Sequence, residues 1–282
     1  MAADASIDIG ILSGVGQSLT YQEFPEVVVP TPYGPTSTPV RLVEIGGKRV
    51  GLIARRGDDD VLQPHLVPYR ANVWALAKLG ATALISSTAS SSLQEAYRPG
   101  TFVLTDQVID QTRGREETFY DRGPAVQLSS ESMFDTTLRS LGYEAMTRQG
   151  VRVVDFGTTV VVNGPRFANA AELRWYASMG ADLVNMTLMP ETALARELGL
   201  AVLNVSTVTD IAGDTAAHGD STELEYMRRR AAQSQTVLLQ ALRTLVPAIP
   251  VGYRASSSIP TDRIAEVLAL PVVPSAGPAA SR

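Results

Sequence analysis

Short apolar runs alternate with stretches of helical spacing along most of the chain, from Ile7 to about Leu245. A chain patterned this way folds as strands and helices in turn: an α/β domain whose mainly parallel, twisted central sheet is flanked by helices. Residues 7–12 read as a strand running into the tight turn Ser13-Gly14-Val15-Gly16. Residues 40–45 and 50–54 flank Gly46-Gly47 and read as a hairpin. A helix is predicted over 72–79, stopped by Gly80, and a strand over 83–87 that enters the hydroxyl cluster at 88–92. Further strands are expected at 102–104 and within 151–162, the latter broken near Phe156-Gly157. In the second half a helix over 170–179 ends at Gly180, and 182–186 and 201–208 read as strands. Pro190 suits the first turn of the helix between those strands, with Glu191 beside its positive dipole end. Thr222 and Glu225 form a capping-box pattern that opens a long helix to about Leu245. The expected organisation is one domain over residues 1–255 and a loose Pro/Ala/Ser-rich tail over 256–282, with no internal repeat.

Composition removes several function classes. The 282 residues, 45% hydrophobic and 19% charged, suit one large soluble enzyme domain. Net charge is −5 and the basic residues are scattered, so nucleic acid is not an expected partner. The one basic run, Arg228-Arg229-Arg230, reads as a solvated helix face. The absence of cysteine excludes disulfides, thiolate metal sites and a cysteine nucleophile. No apolar stretch is long enough to span a membrane and the N-terminus lacks a signal-peptide pattern, so the expectation is a cytoplasmic protein with no membrane partner.

In α/β sheets ligands gather beyond the carboxyl ends of the strands. Four polar or glycine-rich segments fall there, at 13–16, 55–60, 88–92 and 209–214, and Met186-Thr187 closes a fifth strand. Singly they read as turns or loops; Gly14-x-Gly16 lacks the third glycine of a dinucleotide fingerprint. Together they outline one site rich in hydroxyls and backbone N–H groups, with Arg55 and Arg56 beside it, as an anion site requires.

These residues resemble a known family. The run from Ile9 to Gly16 is similar to the opening glycine turn of the methylthioadenosine phosphorylases, within the purine nucleoside phosphorylase superfamily. Tyr69-Arg70-Ala71-Asn72-Val73-Trp74 is similar to their first long helix, and Ser87-Thr88-Ala89-Ser90-Ser91-Ser92-Leu93 followed by Pro99-Gly100 to their TTACGSL and PGD segments. Phe119-Tyr120-Asp121, Gly164-Pro165-Arg166-Phe167, Asn185-Met186-Thr187 with Pro190-Glu191, and Thr209-Asp210 follow in the family's order, so the resemblance covers about residues 7–250. It implies a pentosyltransferase that cleaves the N-glycosidic bond of a purine nucleoside, 5′-methylthioadenosine-like or otherwise 5′-modified, by phosphorolysis. It implies a phosphate pocket of Arg55, Thr88, Ala89 and Thr187, a purine stacked on Phe167, a ribose against Met186, and Asp210 facing the purine N7 as acid. It further implies a homotrimer, with inorganic phosphate as co-substrate and neither metal nor organic cofactor.

The chain departs from the family where the chemistry lies. Val15 replaces a phosphate-binding threonine, and a lost hydrogen bond to a charged acceptor is worth about 1.5–3 kcal/mol, so weaker phosphate binding is expected. The family's Arg-His-Gly-x-x-His becomes Arg55-Arg56-Gly57-Asp58-Asp59-Asp60, which removes both histidines and places three carboxylates near the anion site. Arg56 is the candidate replacement for the first histidine. The family's glycine is Ser91, its second base-contacting Asp is Ala212, with Asp214 the carboxylate that could stand in, and Gln127 takes the place of the histidine that a neighbouring subunit offers to the 5′ group. His65 and His218 fall outside the matched motifs and read as surface or supporting residues. Two alternatives therefore stand beside phosphorolysis: hydrolysis, with a carboxylate such as Asp60 directing water, and catalytically silent nucleoside binding.

Overall fold

The structure, a computed structural model, describes residues 5–14, 24–58, 61–123, 125–129 and 133–272. Its strands are β1 (Ile9–Ser13), β2 (Glu26–Val27), β3 (Val40–Ile45), β4 (Lys48–Ala54), β5 (Ala83–Ser92), β6 (Phe102–Leu104), β7 (Gln107–Gln111), β8 (Val153–Val154), β9 (Thr158–Val162), β10 (Leu183–Asn185) and β11 (Ala201–Ile211). Its helices are α1 (Tyr69–Lys78), α2 (Thr136–Thr147), α3 (Ala170–Ser178), α4 (Glu191–Glu197), α5 (Glu223–Ala248) and α6 (Thr261–Leu268). The strands form one sheet in the order β2-β3-β4-β1-β5-β10-β9-β7, with β11 on the other side of β5 and followed by β6 and β8. Neighbours run parallel at β4/β1, β1/β5, β5/β11, β10/β9, β9/β7 and β6/β8. The antiparallel exceptions are β2/β3, the β3/β4 hairpin, β5/β10 and β6/β11.

The central strands β1 and β5 are almost wholly buried, and β11 is buried from Ala201 to Asp210, the pattern of strands covered on both faces. One face is closed by α1, α4 and α6, where Trp74, Leu76, Leu194, Leu198 and Val267 pack on Leu84 and Val202. The other is closed by α2 and α5, where Leu138, Met146, Leu242, Leu245 and Val246 pack on Ile85, Leu203 and Val205. The capping box forms at Thr222 and Glu225, and the break expected within 151–162 separates β8 from β9.

Residues 256–272 differ from the loose tail expected of them. Ile259 and Val267 are buried. Trp74 Nε1 donates to Val267 O at 3.0 Å, Lys78 Nζ to Leu268 O at 2.7 Å and Arg196 Nη2 to Ser256 O at 2.8 Å. A Ser/Pro-rich composition hid a short amphipathic helix whose apolar side completes the α1 layer. Among the described residues no helix is long and apolar enough to cross a membrane.

Candidate active site

One cavity opens where the central strands end. Gly14 follows β1, Arg55 and Arg56 follow β4, Thr88, Ala89 and Ser91 lie on β5, and Ala212 and Gly213 follow β11. Strand β10 approaches differently. It pairs antiparallel with the end of β5, Leu183 with Ser92 and Val184 with Ser91, so its continuation returns along β5 and brings Asn185, Met186 and Thr187 into the same cavity. The cavity has two characters. Hydroxyls and amides at Thr88, Ala89 and Thr187 line one part, while Phe167, Met186, Val162, Leu173 and Val184 line an apolar part.

The polar part rests on a buried hydroxyl network. Thr88 Oγ1 accepts from Asn204 Nδ2 at 3.2 Å and shares a 2.8 Å hydrogen bond with Ser206 Oγ; Asn204 Oδ1 accepts from Thr105 Oγ1 at 2.7 Å. All four residues are buried, so the network holds the Thr88 hydroxyl at the cavity in a fixed place. Asn185 adds a group the sequence reading did not single out. Its Oδ1 accepts from the Thr187 and Leu188 amides, each at 3.3 Å. Its buried Nδ2 finds no acceptor among the described residues, and the residue lines the cavity, so this amide is available to a ligand.

Arg55 is enclosed rather than extended toward open space. It is 0% exposed and Glu191 1%. The guanidinium grips Glu191 through Nε at 2.5 Å and Nη2 at 2.9 Å, and also donates to Leu12 O, Ser86 Oγ and Ser87 O. It thereby ties the end of β1 and the middle of β5 to α4 while itself lining the cavity. Gly14 fits directly over it: a Cβ there would lie 2.6 Å from Arg55 Nη1, which only glycine avoids. Arg56 lines the cavity while its Nε donates to Leu62 O at 2.7 Å.

The carboxylates beyond Arg56 do not act as a block. Asp58 is held bidentately by the buried Arg41, Nη1 to Oδ1 at 2.7 Å and Nη2 to Oδ2 at 2.8 Å, and is absent from the cavity wall. The repulsion expected of it is answered by this pairing. Val15, Asp59 and Asp60 lie outside the described residues.

Asp210 is 1% exposed. A bulge at Thr209 shifts the β11/β5 register so that Asp210, not Thr209, stands opposite Ser91. Its Oδ1 accepts from Thr209 Oγ1 at 2.7 Å and Ser91 Oγ at 3.1 Å. Ser91 is the cavity-lining member of this group, with Asp210 one hydroxyl behind it. Asp214 and Gln127 are exposed and neither lines the cavity in the single chain, so Asp214 does not stand in for the carboxylate missing at Ala212. His65 is exposed on the 3-10 turn Pro64–Leu66.

The basic run is solvated as its pattern predicts, with Arg228 and Arg229 exposed and Arg230 partly so, and one of its members also meets the cavity. Arg228 lines the cavity mouth, together with Leu224, Met227 and Ala231 on the first turns of α5. The signal was present in the sequence: these positions follow the capping box at i, i+3, i+4 and i+7, a single helix face.

Fold and site together define a protein of the nucleoside phosphorylase fold. The sequence profile of the phosphorylase superfamily matches residues 8–243, and the chain belongs to that superfamily. It is 41% identical over 246 residues to the S-methyl-5′-thioadenosine phosphorylase of Thermofilum pendens, covering 86% of this chain and 93% of that one. It is 39% identical over 261 residues to the purine nucleoside phosphorylase of Streptomyces coelicolor, covering 89% and 92%. Among solved structures, methylthioadenosine phosphorylase from Schistosoma mansoni in complex with tubercidin superimposes with a TM-score of 0.79 at 30% identity, over 86% of this chain and 91% of that one. A methylthioadenosine phosphorylase from an antarctic soil metagenomic library gives 0.80 at 29% identity, over 95% and 100%.

Proposed function

We propose that the chain is a pentosyltransferase that cleaves the N-glycosidic bond of a purine nucleoside by phosphorolysis. The carrying observation is the two-character cavity: hydroxyls and amides at one part, an aromatic and a thioether at the other, joined at the ends of β1, β5 and β10. A phosphate oxygen attacks C1′ as the C1′–N9 bond breaks. The electron pair of that bond passes to the purine, which takes a proton at N7, and the products are pentose 1-phosphate and free base. Thr88, Thr187, Arg56 and the Ala89 amide hold phosphate beside the Arg55 floor, while Phe167 offers its face to the base and Met186 its thioether to the sugar. Asp210 supplies the proton, with Ser91 between it and the cavity. The α5 face, Leu224, Met227 and Arg228, meets the 5′ substituent. Inorganic phosphate is the co-substrate and no cofactor is required by this chemistry. A homotrimer, in which Gln127 of one copy reaches the 5′ side of the next, and a cytoplasmic setting complete the reading.

The hydrolytic alternative is weaker because Asp58, one of the carboxylates it could use, is engaged by Arg41. Initial rates on 5′-methylthioadenosine, adenosine and inosine as a function of phosphate test the proposal. Saturation with phosphate and formation of pentose 1-phosphate are expected; a phosphate-independent rate yielding free pentose would mean hydrolysis.

The Arg41–Asp58 pair has its own test. In Arg41→Met the freed Asp58 charge opposes phosphate, and a repulsion near 1.4 kcal/mol raises the phosphate KM about tenfold. Asp58→Asn in the same background should reverse most of that rise. No reversal would mean that the pair has no electrostatic bearing on phosphate.

A further inference from the structure

Arg115 lies outside every matched motif, in the segment between β7 and α2, and is half-buried. Its guanidinium has five N–H groups, and each finds an acceptor. Nε donates to Asn163 Oδ1 at 3.3 Å, Nη1 to Tyr69 Oη at 3.1 Å and to Met189 O, and Nη2 to Asn163 O and Met186 O, both at 2.9 Å. None of these acceptors is a carboxylate. Burial pushes the Arg115 pKa down and the Tyr69 pKa up, so the phenol stays protonated and donates to Pro64 O at 2.8 Å while accepting from Arg115.

The acceptors belong to three separate segments, and each carries part of the cavity wall. Asn163 precedes Pro165 and Phe167; Met186 and Met189 bracket Thr187; Tyr69 leads to Pro64. These segments also touch directly. Gly164 has φ +62°, and a Cβ on it would lie 2.5 Å from Met186 Sδ and 3.4 Å from Pro64 Cγ. Three loops packed this closely, two of them held by carbonyls on one planar fork, have little freedom to shift singly.

We propose that Arg115 is the positioning residue of the nucleoside end of the cavity. It fixes the separation between the segment that bears Phe167 and the segment that bears Met186 and Thr187, and so aligns nucleoside with phosphate. The proposal rests on the nucleoside-binding reading of the cavity. Lysine cannot replace the fork, because one ammonium has three donors and cannot reach acceptors spread over three segments.

The test uses full-length Arg115→Lys with saturating phosphate and 5′-methylthioadenosine, adenosine and inosine. Misplacing reactants by about 1 Å costs roughly a hundredfold. The expected loss in kcat/KM is of that order, shared between a nucleoside KM raised about tenfold and a kcat lowered about tenfold. A mere fall in the folded fraction would leave KM where it was. The Thr187 and Leu188 amides, both bonded to Asn185 Oδ1, should exchange with solvent at least about tenfold faster. Added guanidinium should restore part of the Arg115→Ala rate. A nucleoside KM within about twofold of the parent chain, with unchanged exchange at Thr187 and Leu188, overturns the proposal. If the parent chain turns over none of the three nucleosides, the enzymatic reading fails, and the exchange measurement alone decides whether Arg115 braces the loops. If Arg115→Lys does not fold, Tyr69→Phe removes one acceptor and keeps the ring; it should raise the nucleoside KM about threefold, and no rise counts against the bracket.

Discussion

Asp210→Asn is expected to lower kcat for purine nucleosides by about 10²–10⁴, the range over which positioned acids act, while the nucleoside KM moves by less than about threefold. The substitution is chosen for what it preserves. Asparagine keeps the volume of a side chain that is 1% exposed, and its amide oxygen can still accept from Thr209 Oγ1 and Ser91 Oγ. What it loses is the ability to give up a proton as C1′–N9 breaks and negative charge grows on the purine. The interaction is therefore missing mainly in the transition state, and the loss belongs in kcat. Asn activity equal to that of the parent chain would remove Asp210 from the proton path. A loss confined to KM would make it a recognition residue. Ser91→Gly is the companion measurement. It takes away the hydroxyl that separates Asp210 from the cavity, and a change in the solvent isotope effect between the two chains tells whether that hydroxyl carries the proton.

The parts of the site that were legible from sequence are those fixed by local chemistry at strand ends. Gly14 after β1, the 88–92 hydroxyls and the Met186-Thr187 pair after β10 read as strand ends, and strand ends of such sheets converge; β5 itself runs on through the hydroxyls to Ser92, five residues beyond the strand expected over 83–87. Partnership across the sequence was not legible. Arg55 and Glu191 are separated by 136 positions; each could be read locally, one as an anion ligand and the other as a helix-dipole residue, and neither reading contains the ion pair. Arg41 and Asp58 are nearer, yet the three consecutive carboxylates gave no sign that one of them faces the β3 arginine. Arg115 left no trace at all, because its acceptors are mostly backbone carbonyls and a carbonyl's direction is set by tertiary structure. The α6 helix was hidden by composition: 256–282 is rich in residues that break helices, and its short apolar stripe gains meaning only against Trp74 and Lys78.

Glu191→Ala should destabilise the chain by about 3–5 kcal/mol, the range measured when one partner of a buried ion pair is removed. The reason is the Arg55 guanidinium left behind. It is 0% exposed, and its bonds to Leu12 O, Ser86 Oγ and Ser87 O are to neutral acceptors, which do not replace the charge of Glu191. For a domain of this size, that loss corresponds to a fall in Tm on the order of 10 °C, read by thermal or urea unfolding. The paired substitution Arg55→Met with Glu191→Leu removes both charges at similar volume and should recover most of the stability, since a buried pair replaced by apolar groups is often close to neutral. Function separates the two roles of the pair. If Arg55 serves only to join β1, β5 and α4, the double variant keeps its phosphate KM. If its positive charge under Gly14 also draws phosphate into the cavity, the double variant folds well and binds phosphate at least about tenfold more weakly. The second result is expected, because the Gly14 backbone lies against Nη1, closely enough that no side chain fits between them, and a charge so near the cavity floor, screened by little water, acts strongly on an anion above it. A single variant cannot give this answer, since the loss of fold would mask the loss of charge.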